Sequence, residues 1–240
     1  FESVIINDVD AKLRNDLLKF CYENSIRTYV VPKITDIILR GANTVNAFDT
    51  PMLLVKGTGL NSGQLFLKRA MDIIISLIGL IVASPVMLLV ALAIKLEDKG
   101  PVFYKQKRVT VNGKVFDILK FRSMIVNAEK DGESKPATDN DPRITKVGKI
   151  IRAIRIDELP QIINILKGDM SIVGPRPERE IFYDEFEKYI HGFRERLKVK
   201  PGLTGLAQVR GGDYLKPEEK IVYDVEYIKT RSFLNDLKRY

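Results

Sequence analysis

Between Ile73 and Ile94 the chain runs for 22 residues without a charge, and no other feature limits more tightly what can be built around it. Lys68, Arg69 and Asp72 precede the run, and Lys95, Glu97, Asp98 and Lys99 follow it. Its length meets the roughly 20 apolar residues that a helix needs to cross a bilayer; a fully buried helix of a soluble core is the alternative. Ser84-Pro85 lies near the middle, where proline removes one backbone hydrogen bond and kinks or breaks a helix. At 1.5 Å rise per residue each half is roughly 15 to 18 Å long, about half of a 30 Å hydrocarbon core. A hairpin that enters and leaves by one membrane face is therefore possible. A kinked full span stays open, because lysines on both flanks choose no orientation.

The second informative stretch is Arg152-Ala153-Ile154-Arg155-Ile156-Asp157-Glu158-Leu159-Pro160-Gln161, followed by an apolar run, Gly168-Asp169-Met170-Ser171 and Gly174-Pro175-Arg176-Pro177. Proline is tolerated in a first helical turn and Gly168 is a natural stop, so Gln161 to Lys167 reads as a short helix with Asp157 near its N-cap. A capping role alone would account for Asp157. Two adjacent carboxylates beside Arg152 and Arg155 point further: helix dipole and guanidinium groups keep a carboxylate ionised and hold phosphate oxygens. An aspartate so placed can attack phosphorus and form an acyl phosphate, dividing one hard displacement into two easier ones.

Composition narrows the chemistry. The net charge is +8, and residues 101 to 176 hold 15 Lys/Arg against 9 Asp/Glu, so the excess clusters around this stretch. Such a balance suits anionic lipid, phosphorylated substrates or nucleic acid, but no nucleic-acid-binding module is present. One cysteine, Cys21, excludes an internal disulfide, and one histidine, His191, argues against a histidine metal cluster or a serine-histidine hydrolase. Cys21 reads as a small buried hydrophobe and His191 as structural.

Taken in order, residues 1 to 60 alternate short strands and helices: Ser3 to Ile6, Val9 to Asn24, Thr28 to Val31, Ile34 to Arg40 and Met52 to Val55. They predict a partial, Rossmann-like α/β unit with a parallel sheet but without a glycine-rich phosphate loop. Residues 61 to 100 hold a polar connector, Asn61 to Gln64, and the membrane segment. In residues 101 to 240, the stretches Gly100 to Gln106 and Lys114 to Phe121 read as a hairpin. Lys120 and Arg122 leave its end, and Asn127 to Asp141 reads as a lid. Ile144 to Ile154 carries an apolar stripe at Val147, Ile150, Ile151 and Ile154. Glu178 to Leu197 reads as one amphipathic helix, interfacial or core-packed, with Phe182, Phe186, Tyr189, Ile190, Phe193 and Leu197 on one face. Lys200 to Val209, which includes Gln208, is a turn-rich segment whose glycines permit close approach to a ligand, and Pro217 to Ile228 is a further helix. The chain reads as a piece of a longer protein.

Lys68-Arg69-Ala70-Met71-Asp72, Ser84-Pro85, Gly100-Pro101-Val102-Phe103, Lys120-Phe121-Arg122-Ser123-Met124, Asp157-Glu158-Leu159-Pro160-Gln161, Gly174-Pro175-Arg176-Pro177 and Pro201-Gly202-Leu203-Thr204-Gly205 occur in the order in which a known family has them. The chain resembles the bacterial sugar transferases, the polyprenyl-phosphate phosphoglycosyl transferases of the single-membrane-hairpin type, over roughly residues 65 to 240. The resemblance implies an α/β protein with an α+β catalytic domain, a re-entrant membrane hairpin broken at Ser84 and Pro85, and interfacial helices. It implies transfer of a sugar-1-phosphate, of a hexose in this reading, from a UDP-sugar to undecaprenyl phosphate. UMP is released, and capsule, exopolysaccharide or O-antigen synthesis begins. Asp157 would be the nucleophile and Glu158 its partner, the two holding Mg²⁺; Arg152, Arg176, Lys120, Arg122 and Gln208 would bind phosphate or substrate. The catalytic domain would sit on the cytoplasmic face of the bacterial inner membrane, with a homodimer and polysaccharide-assembly proteins as expected partners. One departure is Arg155, where many members have serine. Two other readings compete: a glycosyltransferase that releases UDP, and a membrane-anchored scaffold without turnover.

Overall fold

The computed structural model of the chain describes residues 3–7, 9–40, 42–47, 50–55, 60–126, 128, 141–212, 215–232 and 235–236. Residues 1–57 and 58–240 form two compact units. In the first, β1 (Ser3–Ile6), α1 (Ala11–Glu23) and β2 (Arg27–Val30) make one βαβ step, with Ser3 opposite Arg27 in a parallel pair. Asp10 caps α1 by accepting from the Lys12 and Leu13 amides at 2.9 and 3.0 Å, as a short acceptor before a helix should. Cys21 is buried on that helix. After α2 (Ile34–Arg40) come β3 (Asn43–Ala47) and β4 (Thr50–Leu54), paired antiparallel. The parallel sheet expected of this unit is thus one pair of strands, and the Met52 stretch belongs to a hairpin instead.

The second unit is built on α3 (Ser62–Asp98), a single helix of 37 residues. Its start lies inside the expected connector: Asn61 accepts from the Gln64 amide at 2.8 Å, and the Gln64 side chain accepts from the Asn61 amide at 3.1 Å. The helix is uninterrupted at Pro85, so the break expected there is not a break in the helix. Proline at 85 leaves the Ile81 carbonyl without its amide partner, and the Ser84 hydroxyl donates to that oxygen at 2.8 Å. Local repair by serine lets the helix continue.

One stripe of α3 is docked along its whole length. Lys68 reaches Asp236 at 2.6 Å, and Arg69 donates to the Ile165 and Leu166 carbonyls at 2.6 and 2.8 Å. Asp72 accepts from the Ser171 hydroxyl and the Ile172 amide, both at 3.1 Å. Farther along, Met87 and Ile94 join Phe121 and Ile151 in a buried cluster flanked by Leu80, Ala83, Val90 and Ala91. At the far end Glu97 accepts from the Lys146 and Val147 amides. The opposite stripe, Phe66, Ile74, Ile78, Ile81, Val82, Leu88, Leu89, Leu92 and Leu96, is exposed. By length and composition the helix as a whole is long and apolar enough to cross a membrane.

Beyond α3, β5 (Phe103–Val109) and β6 (Val115–Phe121) pair antiparallel as expected, with the Phe103 and Phe121 rings stacked at 5.5 Å. Then follow α4 (Lys146–Ala153), a 3₁₀ turn (Ile156–Glu158), α5 (Gln161–Lys167), β7 (Ser171–Val173), α6 (Glu180–Phe186), a second 3₁₀ segment (Phe193–Lys198), β8 (Gly202–Thr204), α7 (Leu206–Gly211) and α8 (Pro217–Thr230). β7 and β8 are parallel, and their backbones approach so closely at Gly174 and Gly202 that a Cβ on Gly202 would stand 2.1 Å from the Gly174 nitrogen.

Two helical expectations change. The α4 stripe divides: Ile151 is buried and Val147 packs beside it, but Ile150 and Ile154 are exposed. The single helix expected over Glu178 to Leu197 is two short pieces, because Gly192 turns the chain at φ 89°. Its Tyr183, Ile190, Phe193 and Leu197 are buried in the core rather than laid out on one interfacial face. The lid expected over Asn127 to Asp141 lies outside the described residues, except Ala128 and Asp141.

Candidate active site

The carboxylate pair sits on a turn, not at a helix cap. Asp157 and Glu158 occupy the 3₁₀ turn Ile156–Glu158, entered through Arg155 in a left-handed conformation at φ 56°. The residue before α5 is Pro160, so Asp157 does not cap that helix, and a helix of seven residues adds little dipole field. Gly168 does end α5, at φ 93°.

What brings cations to the turn is tertiary. Lys120, at the end of β6, donates to Glu158 Oε1 at 2.7 Å, and Arg176, from the turn after β7, donates to the same oxygen at 2.9 Å. Three segments therefore converge on one carboxylate. Burial pushes the Glu158 carboxyl up, but Arg176 and Lys120 outweigh it and hold it down at about 2, against an ordinary 4.5. Asp157 goes the other way. Burial raises its carboxyl above the ordinary value and the Glu158 charge adds to the rise, with Lys120 and Arg152 opposing both. Burial and the Glu158 charge thus outweigh Lys120 and Arg152 in the direction of the Asp157 shift, and it is the neighbouring Glu158 that collects the cations.

Other residues of the sequence reading separate into those the fold gathers and one it does not. Arg152, in the last turn of α4, is near enough for its charge to act on Asp157. Gln208, on α7, lines a pocket of about 320 Å³ together with Arg155, Glu158, Leu159, Leu203, Thr204 and Val209. Arg122 is occupied elsewhere: it is buried, forks both oxygens of Asp98 and donates to the Pro101 carbonyl at 2.5 Å. Its guanidinium ties the end of α3 to the hairpin. Ser84 and Pro85 stay on α3, where the Ser84 hydroxyl serves the carbonyl that Pro85 leaves without its amide partner.

The supporting residues were not singled out from the sequence. Asn164, 1% exposed, acts as a strand partner for β6: its Oδ1 accepts from the Leu119 amide at 2.9 Å and its Nδ2 donates to the Asp117 carbonyl at 2.8 Å. α5 is thereby clamped to the strand that ends in Lys120. The only hint was a polar residue inside Ile162-Ile163-Asn164-Ile165. The turn carrying Arg176 is held twice, by Arg108 donating to the Pro177 carbonyl at 3.2 Å and by Arg196 donating to the Arg176 carbonyl at 3.0 Å.

The Glu158 shift has a consequence for stability. A carboxyl whose folded pKa lies below its unfolded one adds stability that is fully present above about 4.5 and is lost as pH falls toward about 2. Acid titration of thermal unfolding is expected to show a steeper loss over this window in the wild type than in Glu158→Gln. Equal slopes would mean that the Lys120 and Arg176 contacts carry no net energy.

A divalent cation can be weighed against these donors. Asp157 and Glu158, adjacent on one turn, offer hard carboxylate oxygens, the donor type of which Mg²⁺ takes one or two before completing its shell with phosphate oxygens and water.

Comparison with known proteins bears on this arrangement. The profile of a family described as bacterial sugar transferase matches residues 63–239. A UDP-glucose:undecaprenyl-phosphate glucose-1-phosphate transferase of Klebsiella pneumoniae is 39% identical over 242 residues, covering 99% of this chain and 50% of that protein. A UDP-N-acetylgalactosamine-undecaprenyl-phosphate N-acetylgalactosaminephosphotransferase of Aeromonas hydrophila is 47% identical over 175 residues, covering 72% of this chain and 41% of its own. An undecaprenyl-phosphate galactose phosphotransferase of Salmonella typhimurium is 37% identical, covering 87% and 46%. This chain spans about half the length of these curated relatives, and the three names differ in their sugar.

Proposed function

Because the chain belongs to the bacterial sugar transferase family, we infer that it transfers a sugar-1-phosphate from a UDP-sugar to undecaprenyl phosphate with Asp157 as a covalent nucleophile. The observation that carries this reading is the division of labour in the carboxylate pair. Glu158 is neutralised by Lys120 and Arg176, and Asp157 is left partly buried with its basicity raised. A raised pKa makes a carboxylate oxygen a better nucleophile, provided it is ionised at working pH.

In the first step an Asp157 oxygen attacks the β-phosphorus of the UDP-sugar. The bond from that phosphorus to the bridging oxygen breaks, and the electron pair leaves on the phosphate of UMP. In the second, a phosphate oxygen of undecaprenyl phosphate attacks the phosphorus of the aspartyl phosphosugar. The Asp157 carboxylate departs, and an undecaprenyl diphosphate sugar remains. Lys120, Arg152 and Arg176 form the cationic wall that lets a diphosphate approach two carboxylates. Mg²⁺ held by Asp157 and Glu158 would offset repulsion between carboxylate and diphosphate and stabilise charge on the leaving group.

The docking of α3 supports residence on one membrane face. Both of its ends and its middle pack on the same unit while the other stripe is apolar and exposed; in this reading the exposed stripe meets the hydrocarbon and the unit stays on one side of the bilayer. We assign that face to the cytoplasmic side of the inner membrane, where a nucleotide sugar is available. Nucleotide analysis decides the reaction: with undecaprenyl phosphate, Mg²⁺ and a panel of UDP-sugars, the nanodisc-held protein is expected to release UMP. UDP as the product would mean transfer of the sugar without its phosphate. No nucleotide release with any sugar would favour a scaffold.

A further inference from the structure

Arg155 joins α4 to the turn that carries the carboxylate pair. Its amide donates to the Arg152 carbonyl at 3.2 Å, and its carbonyl accepts from the Glu158 amide at 3.3 Å. Between these two bonds its backbone is left-handed, at φ 56° and ψ 19°. The end of α4 accounts for the conformation, since a left-handed residue commonly follows a last helical turn, but glycine is the usual occupant. Any larger side chain brings its Cβ too close to a carbonyl oxygen there. Glycine does hold the left-handed position that ends α5, at Gly168. Among the described residues Ser25, Lys99 and Asn112 are the other non-glycine positions of positive φ. Arg155 differs from all three in lining the pocket that contains Glu158.

Strain of this kind persists only where the surroundings hold it, and it gathers at binding sites. Glu158 does not call for the arginine: it already takes Lys120 at 2.7 Å and Arg176 at 2.9 Å, and these two outweigh its burial. A guanidinium only donates, and its planar fork matches the oxygens of a phosphate. We propose that Arg155 holds a phosphate group of a substrate beside Asp157, and that the chain keeps arginine in a conformation suited to glycine for the sake of this contact. This rests on the phosphotransfer reading above, in which the phosphates of the nucleotide sugar and then that of undecaprenyl phosphate come to Asp157, two residues along the chain. It adds a substrate-binding residue to the cationic wall and ties substrate affinity to a local loss of stability.

Arg155→Gly separates the two, because glycine relieves the backbone and removes the guanidinium together. On the full chain in nanodiscs this variant is expected to melt about 2–4 °C above the wild type. It is also expected to bind a phosphate-bearing substrate about tenfold more weakly. Calorimetry with UDP, and the KM for undecaprenyl phosphate in UMP release, identify the source: weaker UDP puts the contact on the nucleotide diphosphate, and a raised KM with unaltered UDP puts it on the acceptor. Arg155→Lys keeps both the charge and the strained backbone, and is expected to melt with the wild type and to lose only about threefold in the same substrate. UDP affinity and acceptor KM both unchanged in Arg155→Gly overturn the proposal. So does weaker binding of a UDP-sugar alone, which would put the guanidinium on a sugar hydroxyl, and so does a lower melting temperature, which would show that arginine is kept for the fold. If UMP is released and Arg155→Gly alters neither substrate, only this assignment falls. If the wild type neither binds UDP nor releases UMP, the reaction itself falls and takes this assignment with it.

Discussion

Asparagine in place of Asp157 is expected to lower UMP release by at least about a thousandfold, in the range of losses seen when a covalent nucleophile is removed. The amide keeps the shape of the turn but cannot form an acyl phosphate. The same substitution is expected to stabilise the fold. Burial raises the Asp157 carboxyl above its ordinary value of 3.8, so the folded state binds the proton more tightly than the unfolded chain. Stability is therefore lost as pH rises through the folded value, and at neutral pH the carboxylate costs free energy that asparagine does not. Thermal unfolding at pH 7 in parallel with UMP release checks both. Near-normal turnover would remove Asp157 from the covalent role. A lower melting temperature with lost activity would show that the aspartate supports the turn and leave its chemistry untested by this variant, so intact-mass detection of a phosphosugar adduct on the wild type is measured alongside.

Asp224→Ala is expected to cost about 3–5 kcal/mol of stability, the usual penalty when one member of a buried ion pair is removed. Arg196 and Asp224 meet at 2.6 Å with both side chains 1% exposed. The guanidinium lies 4.9 Å from the Phe193 ring centroid and 5.9 Å from that of Tyr183, which partly serves its unpaired Nε and Nη1. Without the carboxylate a full charge stays in that aromatic shell. The double variant Arg196→Met, Asp224→Leu is expected to recover most of the loss, because no charge is then left buried. It should not recover transfer activity to the same extent, since the Arg196 bond to the Arg176 carbonyl goes with it. Melting temperatures of the single and double variants, read against UMP release, separate packing from positioning. Equal destabilisation in both would show that the pair is not an energetic unit.

Local signals in the sequence were dependable where a few neighbouring residues decide the conformation. The helix Gln161–Lys167 with its Gly168 stop, the helix Ile34–Arg40, the strand Ser3–Ile6 and the hairpin of β5 and β6 are all found as read. Caps, glycines and apolar periodicity act within one or two turns of chain, so they can be seen without the fold. Glu178 to Leu197 deceived for a related reason. Its apolar spacing is helical, but Gly192 reverses the chain, and burying Tyr183 and Phe193 in one core outweighs helical continuity.

By itself the sequence determined that an apolar segment of membrane length begins the larger unit, and that two adjacent carboxylates lie in a basic region after it. Their inequality was decided by tertiary structure alone. Lys120 is 38 residues from Glu158 and Arg176 is 18 away; the clamp of Asn164 on β6 and the hold of Arg196 and Arg108 on the Arg176 turn direct both cations to one carboxylate. Arg122, only two residues from Lys120, was drawn instead to Asp98. Charge pairing falls off within a few ångströms and depends on burial, so the neighbours a fold supplies, rather than those the chain supplies, assign the acid that is neutralised and the one whose carboxyl is raised.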